Sequence, residues 1–245
     1  MCVKYTVIVC QSRNGAHMEV LLVGFQGGFY KFIKSLLWLH PRYRYHVPIR
    51  SEFTEPAVYV CRHSDNDGPI ITMVNLPLPL HPWSYHVWCD EQECYKQCVN
   101  YTFTVRYGWS EQKAKMVARL ISKPYVALIR SAGSIPVYRN SLKVRDTFKD
   151  SVEALKRGES LLIFPDIDYD SKEGNTGALY EGFLMLERLY FRENGKHVSF
   201  VPVRINKQSR KLELDDVISF KDDVPFKEDK ERVLQELHAA LNEAE

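Results

Sequence analysis

Short β-prone runs alternate with helical stretches from Ala57 onward, and this order narrows the possible folds more than any other feature of the chain. Ala57-Val58-Tyr59-Val60-Cys61 reads as a strand. Pro69 fixes φ at the start of a helix over about 70–76, and Pro77, Pro79 and Pro82 stop it. After Trp88 comes an irregular stretch, then a helix from Ser110, as its cap, to Ile121, and a buried strand at Tyr125-Val126-Ala127-Leu128-Ile129. Phe148, Val152 and Leu155 share a face of a helix that begins at Asp146 or Thr147 and ends at Gly158. Leu161 to Phe164 is the next strand, Gly177 to Phe191 the next helix and Val198 to Ile205 another strand. Val233, Leu237 and Leu241 mark a last helix from about Lys227 to Glu243. The economical solution is an α/β fold, a single domain with a central mostly parallel or mixed sheet flanked by helices. It spans 51–245, behind an N-terminal attachment or covering segment at 1–50.

The balance of 33 Lys plus Arg against 31 Asp plus Glu argues against a nucleic-acid partner, which requires a basic excess. Cys2, Cys10, Cys61, Cys89, Cys94 and Cys98 leave the C-terminal half bare, a poor distribution for disulfide staples. A reducing, cytoplasmic setting fits better. Cys89, Cys94 and Cys98 with His81 or His86 make a weak zinc pattern without a C-x2-C pair, and the same spacing suits thiols buried on one helix face.

No apolar run is long enough for a bilayer-spanning helix, which needs about 18 residues or more. Within 25–39, however, Phe29, Phe32, Ile33, Leu36 and Leu37 recur at helical spacing, with Lys31 and Lys34 off the stripe and Arg42 and Arg44 just beyond. A helix lying in a membrane interface has this pattern, and so does a helix packed on its own core. On the first reading the chain sits peripherally on the inner face of the cell membrane.

Three segments carry candidate chemistry. Cys61-Arg62-His63-Ser64-Asp65-Asn66-Asp67-Gly68-Pro69 follows the first strand and offers an imidazole flanked by carboxylates. A neutral imidazole can take a proton from an attacking hydroxyl or amine, while a carboxylate on its far nitrogen fixes the tautomer. His63 is the candidate base, Asp67 the first choice as its orienter and Asp65 the second; both acids are also placed to cap the helix near Pro69. Cys61 offers a Cys-His acyl-enzyme or an ordinary core thiol. In Gly133-Ser134-Ile135-Pro136-Val137-Tyr138-Arg139, Gly133 allows close approach and Arg139 suits a phosphate or carboxylate held bidentately, or an ion pair with Asp166. In Phe164-Pro165-Asp166-Ile167-Asp168-Tyr169-Asp170, Asp166 suits site organisation or a turn, while Asp168 and Asp170 repel phosphate unless paired with a cation. His63, Asp65, Asp67, Asp166, Asp168 and Asp170 together also present the oxygen and imidazole donors of a divalent-metal hydrolase.

Over about 55–210 these landmarks come in the order found in the glycerol-phosphate acyltransferase superfamily, and the chain resembles the bacterial 1-acylglycerol-3-phosphate acyltransferases. That family carries H-x4-D, then G-x-I-x-x-x-R, then F-P-E-G-T-R-S, then a V-P-V-like strand. Gly133, Ile135 and Arg139 match the second block, Phe164-Pro165-Asp166 resembles the start of the third, and Val201-Pro202-Val203 looks like the fourth. The first block is one residue short between His63 and Asp67, and an alternative alignment puts Arg62 at the histidine position. In the third, Asp166 stands for glutamate, and Ile167, Asp168 and Tyr169 replace glycine, threonine and arginine. The resemblance implies acyl transfer from a CoA or acyl-carrier-protein thioester to a hydroxyl or amine acceptor, such as a lysophospholipid at a membrane surface. It implies no tightly bound cofactor and no metal, and substrate contacts at Gly133, Ile135, Arg139, Asp166 and Asp168. A metal-dependent hydrolase, or an inactive lipid-binding protein on the same scaffold, is the alternative. An apolar groove for the acyl chain is expected from Met73, Leu76, Leu78, Trp83 and Trp88.

Overall fold

Alternation along the strands assigns each apolar residue to one of two helical layers. In the computed structural model, which describes residues 25–47, 56–64, 67–139, 141–166 and 179–242, β1 (Ala57–Cys61) lies inside a six-stranded sheet of order β3-β2-β4-β1-β5-β6. The other strands are β2 (Leu80–Tyr85), β3 (Ile135–Val137), β4 (Ser160–Ile163), β5 (Ser199–Asn206) and β6 (Lys211–Leu214). All neighbours run parallel except β5 and β6. The sheet is therefore mixed and mostly parallel.

Val58 and Val60 of β1, with Leu161 and Ile163 of β4, pack in one core with α5 (Val144–Lys156), α6 (Met185–Asn194) and α7 (Phe226–Asn242). Ala57, Tyr59, Cys61 and Leu162 face the other way, against Ile71 of α2 (Gly68–Asn75) and the Tyr43–Val47 segment. Both faces of β1 are covered, which is why all five of its residues are buried and the run reads as continuously apolar. A third core joins α3 (Glu91–Gln97), the π-helical turn Cys98–Arg106 and α4 (Glu111–Ser131).

Two local expectations fail, and one strand went unread. Tyr125–Ile129 is the last part of α4, not a strand: Ala114, Ala118, Ser122 and Val126, four apart, bury one face of a 21-residue helix that runs through Pro124. A five-residue apolar run has too little period to separate the two states, and the burial of every fourth residue decides between them. The stretch after Trp88 is helical, with Cys94 and Cys98 buried four apart as one face of it. Leu80–Tyr85 is a strand despite Pro82, its state set by non-local pairing with β3 and β4.

α1 (Gly28–Leu39) is a helix over the expected residues, and its stripe is only lightly covered. Tyr30 is its one buried residue, its hydroxyl donating to the Met73 carbonyl at 2.9 Å. Lys34 reaches the Leu76 carbonyl at 3.2 Å, and burial pushes its amine down to about 8. Phe29, Phe32, Leu36 and Leu39 stay exposed, Phe32 by 65% and Leu39 by 63%. One side of this helix thus packs on the protein's own core while part of its apolar stripe is left exposed. Among the described residues no helix is long and apolar enough to cross a membrane.

Candidate active site

Two neighbouring parallel strands bring the site together by register. Val60 of β1 pairs with Ile163 of β4, and three residues beyond each of them stand His63 and Asp166. Pro165 has no N–H to continue the ladder, so the chain turns out of the sheet there. The Tyr180 backbone N–H donates to the Pro165 carbonyl at 2.7 Å, and Asp166 bridges to Leu179. His63 Nδ1 lies 2.8 Å from Asp166 Oδ2, and the His63 backbone N–H donates to both carboxylate oxygens at 3.2 and 3.3 Å. The Phe164 ring stands 5.1 Å from the imidazole, centroid to centroid.

Asp166 is buried, while 25% of the His63 side chain is exposed. Burial by itself pushes the Asp166 carboxyl upward; the hydrogen bond and charge of His63, with its backbone N–H, outweigh that and hold the group below the usual carboxylate range. An ionised acceptor on Nδ1 favours the tautomer in which Nδ1 carries the proton and Nε2 is the basic nitrogen. The pair lies beyond the C-terminal ends of parallel strands, where open α/β sheets form their crevices.

The carboxylate at His63 Nδ1 is that of Asp166, not that of Asp67, the acid expected there. Asp67 turns away from the imidazole to an ion pair with Arg42 at 2.9 Å, because the short loop carries it round to the start of α2. Asp65 and Asp168 lie outside the described residues, as do residues 1–24 with Cys2 and Cys10. Gly133 takes φ +75 in the turn before β3, and its carbonyl meets His81 Nδ1 at 2.7 Å. Ile135 is buried in the core. Neither reaches the His63–Asp166 pair: both are committed to the start of β3, the far edge strand. Arg139 is exposed two residues beyond β3, on the same edge of the sheet as His63, with three strand spacings, roughly 14 Å, between β3 and β1.

Cys61 is not poised for attack. Its thiol is fully buried, pushed up to about 12 by that burial, and lies 3.4 Å from the Thr72 hydroxyl. Nor do the five residues expected to line an acyl groove come together. Trp83 packs in the α5 core and donates to Ser151 at 2.9 Å; Met73, Leu76 and Leu78 pack with α2; Trp88 belongs to the helical cluster around α4. Among the described residues no group of three or more His, Cys, Asp and Glu side chains is arranged to hold a metal ion.

Among the described residues, His81 and His197 also meet carboxylates. His81 sits between the Gly133 carbonyl and Glu159, at 2.9 Å from the latter, stacked on Phe25. His197 meets Glu187 at 2.5 Å and Asp222 at 3.1 Å. Comparison with protein-family models, curated proteins and solved structures finds no match.

Proposed function

We propose that this chain is an acyltransferase on a glycerol-phosphate acyltransferase-like scaffold, moving an acyl group from a CoA or acyl-carrier-protein thioester to a hydroxyl or amine acceptor such as a lysophospholipid. The observation that carries the reading is the His63–Asp166 pair at the C-terminal edge of the sheet, 2.8 Å apart and partly open to the surface. His63 Nε2 takes the proton of the acceptor as its oxygen or nitrogen attacks the thioester carbonyl. Asp166 stabilises the imidazolium that forms. When the tetrahedral intermediate collapses, the carbon–sulfur bond breaks and the imidazolium returns the proton to the leaving thiolate. The thioester is a co-substrate, and the step asks for no resident cofactor.

Arg139, on the same edge, supplies a positive charge for an acidic headgroup or for the phosphates of the donor. The exposed stripe Phe29, Phe32, Leu36 and Leu39 on α1, a helix with no acidic residue in its first turn and with Arg42 and Arg44 after it, supports a peripheral seat on an anionic membrane, on the inner face in a cytoplasmic protein.

The test is thiol release from palmitoyl-CoA with and without lysophosphatidate, followed by product analysis, for the wild type and His63→Ala. Acceptor-dependent release that disappears in the variant supports transfer. Unchanged release in His63→Ala removes His63 from the chemistry and the acyltransferase reading with it.

A further inference from the structure

The loop that carries His63 turns back at once into α2, and the residue at that junction has no side chain. A Cβ built on Gly68 would stand 2.2 Å from the Arg62 carbonyl oxygen, 2.6 Å from the His63 carbonyl oxygen and 2.8 Å from the His63 carbonyl carbon. All three are backbone atoms, so no flexible side chain can swing aside to make room. The Gly68 N–H also donates to the His63 carbonyl at 2.8 Å. The backbone of His63 is thus gripped from two sides, by Gly68 on its C=O and by Asp166 on its N–H.

Ser64 sits at φ +44, a left-handed conformation costly for a residue with a Cβ, and its carbonyl receives Lys207 Nζ at 3.1 Å and the Asp67 N–H at 3.3 Å. α2 itself has little room to retreat, since Ile71 is buried in the core beneath the sheet and Thr72 touches Cys61. A side chain at 68 must therefore displace the loop, and the displaced segment includes the histidine.

We propose that Gly68 is a positioning residue for His63: its missing side chain lets the first turn of α2 press on the Arg62–His63 backbone, so that a loop of this length still aims the imidazole at Asp166. The proposal rests on the reading of that pair as catalytic only for its consequence in turnover, not for the geometry. A plain first-turn glycine would behave in the opposite way, because alanine is the better helix former and would be neutral or stabilising there.

The experiment is Gly68→Ala in the full chain, with Gly28→Ala, whose Cβ meets nothing within 4 Å, as the control. Two readouts are taken: the ¹⁵N-histidine NMR signal of the His63 Nδ1–H, assigned by its absence in His63→Ala, and palmitoyl-CoA transfer to lysophosphatidate. Gly68→Ala is expected to lose or shift the Nδ1–H signal and to lower kcat about 100-fold, the effect of a misplacement near 1 Å, with KM for the thioester within about twofold. Lys207→Met, which loosens the same loop without a clash, is expected to weaken the signal and lower kcat several-fold, and it serves if Gly68→Ala does not fold. A wild-type Nδ1–H signal and wild-type kcat in the folded variants overturn the proposal. If the signal is lost in Gly68→Ala while His63→Ala retains full turnover, the positioning role stands and the acyl-transfer reading falls.

Discussion

At the two ends of the sheet a histidine meets a buried carboxylate. His63 faces Asp166 beyond the C-terminal ends of β1 and β4, and His197 faces Glu187 just before β5 begins. In each pair the carboxylate also accepts a backbone N–H, from His63 in one and from Val198 at 2.8 Å in the other. The acids nevertheless shift in opposite directions. Burial pushes both upward; at Asp166 the histidine and the N–H win and the group is held low, whereas at Glu187 burial prevails over His197 and Val198, with nearby Asp229 adding to it. The imidazoles differ as well. His197 has a carboxylate at each ring nitrogen and a Phe191 ring stacked on it, so it ties α6, the start of β5 and the Asp222 segment together. His63 stands beyond the C-terminal end of β1, a quarter of its side chain exposed, with the ionised Asp166 on Nδ1. A short histidine–carboxylate distance is thus shared by a fastener and a candidate base, and position on the sheet separates them.

The sharpest way to break this comparison is to delete each imidazole. His63→Ala is expected to lower kcat/KM for acyl transfer by about 10²–10⁴, the range for a lost general base, and also to lower stability, because buried Asp166 loses its imidazole partner. His197→Ala is expected to leave kcat alone and to cost about 1–3 kcal/mol of stability, because buried Glu187 loses a partner. Urea titrations beside initial rates read both. Equal losses of turnover in the two variants would erase the distinction.

A smaller effect, with opposite signs, comes from pH. The pKa of folded Asp166 lies below its unfolded value, so its contribution is fully present above the ordinary carboxylate range and is lost as pH falls through the folded value. Glu187 has a raised folded pKa, so the native state binds its proton more readily, and stability rises as pH falls from neutrality through that value toward the ordinary range. The stability gap between wild type and Asp166→Asn should accordingly be widest near neutrality and close in acid. Wild type measured against Glu187→Gln should gain ground as acid is added. Denaturation midpoints between about pH 7.5 and 2 give both slopes, and slopes of the same sign would show that the two acids are not differently placed.

The sheet was legible because three of its strands announce themselves locally: Ala57–Cys61, Leu161–Ile163 and Phe200–Val203 are apolar runs buried on both faces. β2 was hidden by Pro82, and the end of α4 was misread because Tyr125–Ile129 holds no more than a turn and a half of helix. At the site, His63 stood out by type and loop position, but its partner did not. The nearest acids in sequence are Asp65 and Asp67, and preferring them assumes that a short loop folds its own carboxylate onto its own imidazole. Asp166 is 103 residues away and meets His63 only because β1 and β4 are neighbours in register, a pairing that a single sequence does not display. The role of Gly68 was equally invisible, since it depends on which backbone atoms lie within reach of a Cβ that is not there.

The finest distinction concerns Asp67, the acid nearest the base in sequence after Asp65. Its partner Arg42 is 63% exposed in its side chain, and an exposed ion pair contributes little once side-chain entropy and solvent screening are counted. Arg42→Ala and Asp67→Asn should therefore each leave the denaturation midpoint almost unchanged, and roughly 0.5 M salt should abolish most of any difference from wild type. Because the carboxylate touching the imidazole is that of Asp166, neither variant should move the pH profile of kcat, whereas Asp166→Asn should change both its height and its acid limb. A profile that shifts in Asp67→Asn and stays fixed in Asp166→Asn would return the orienting role to the loop's own acid, and would mean that the register of β1 and β4 does not define the working geometry.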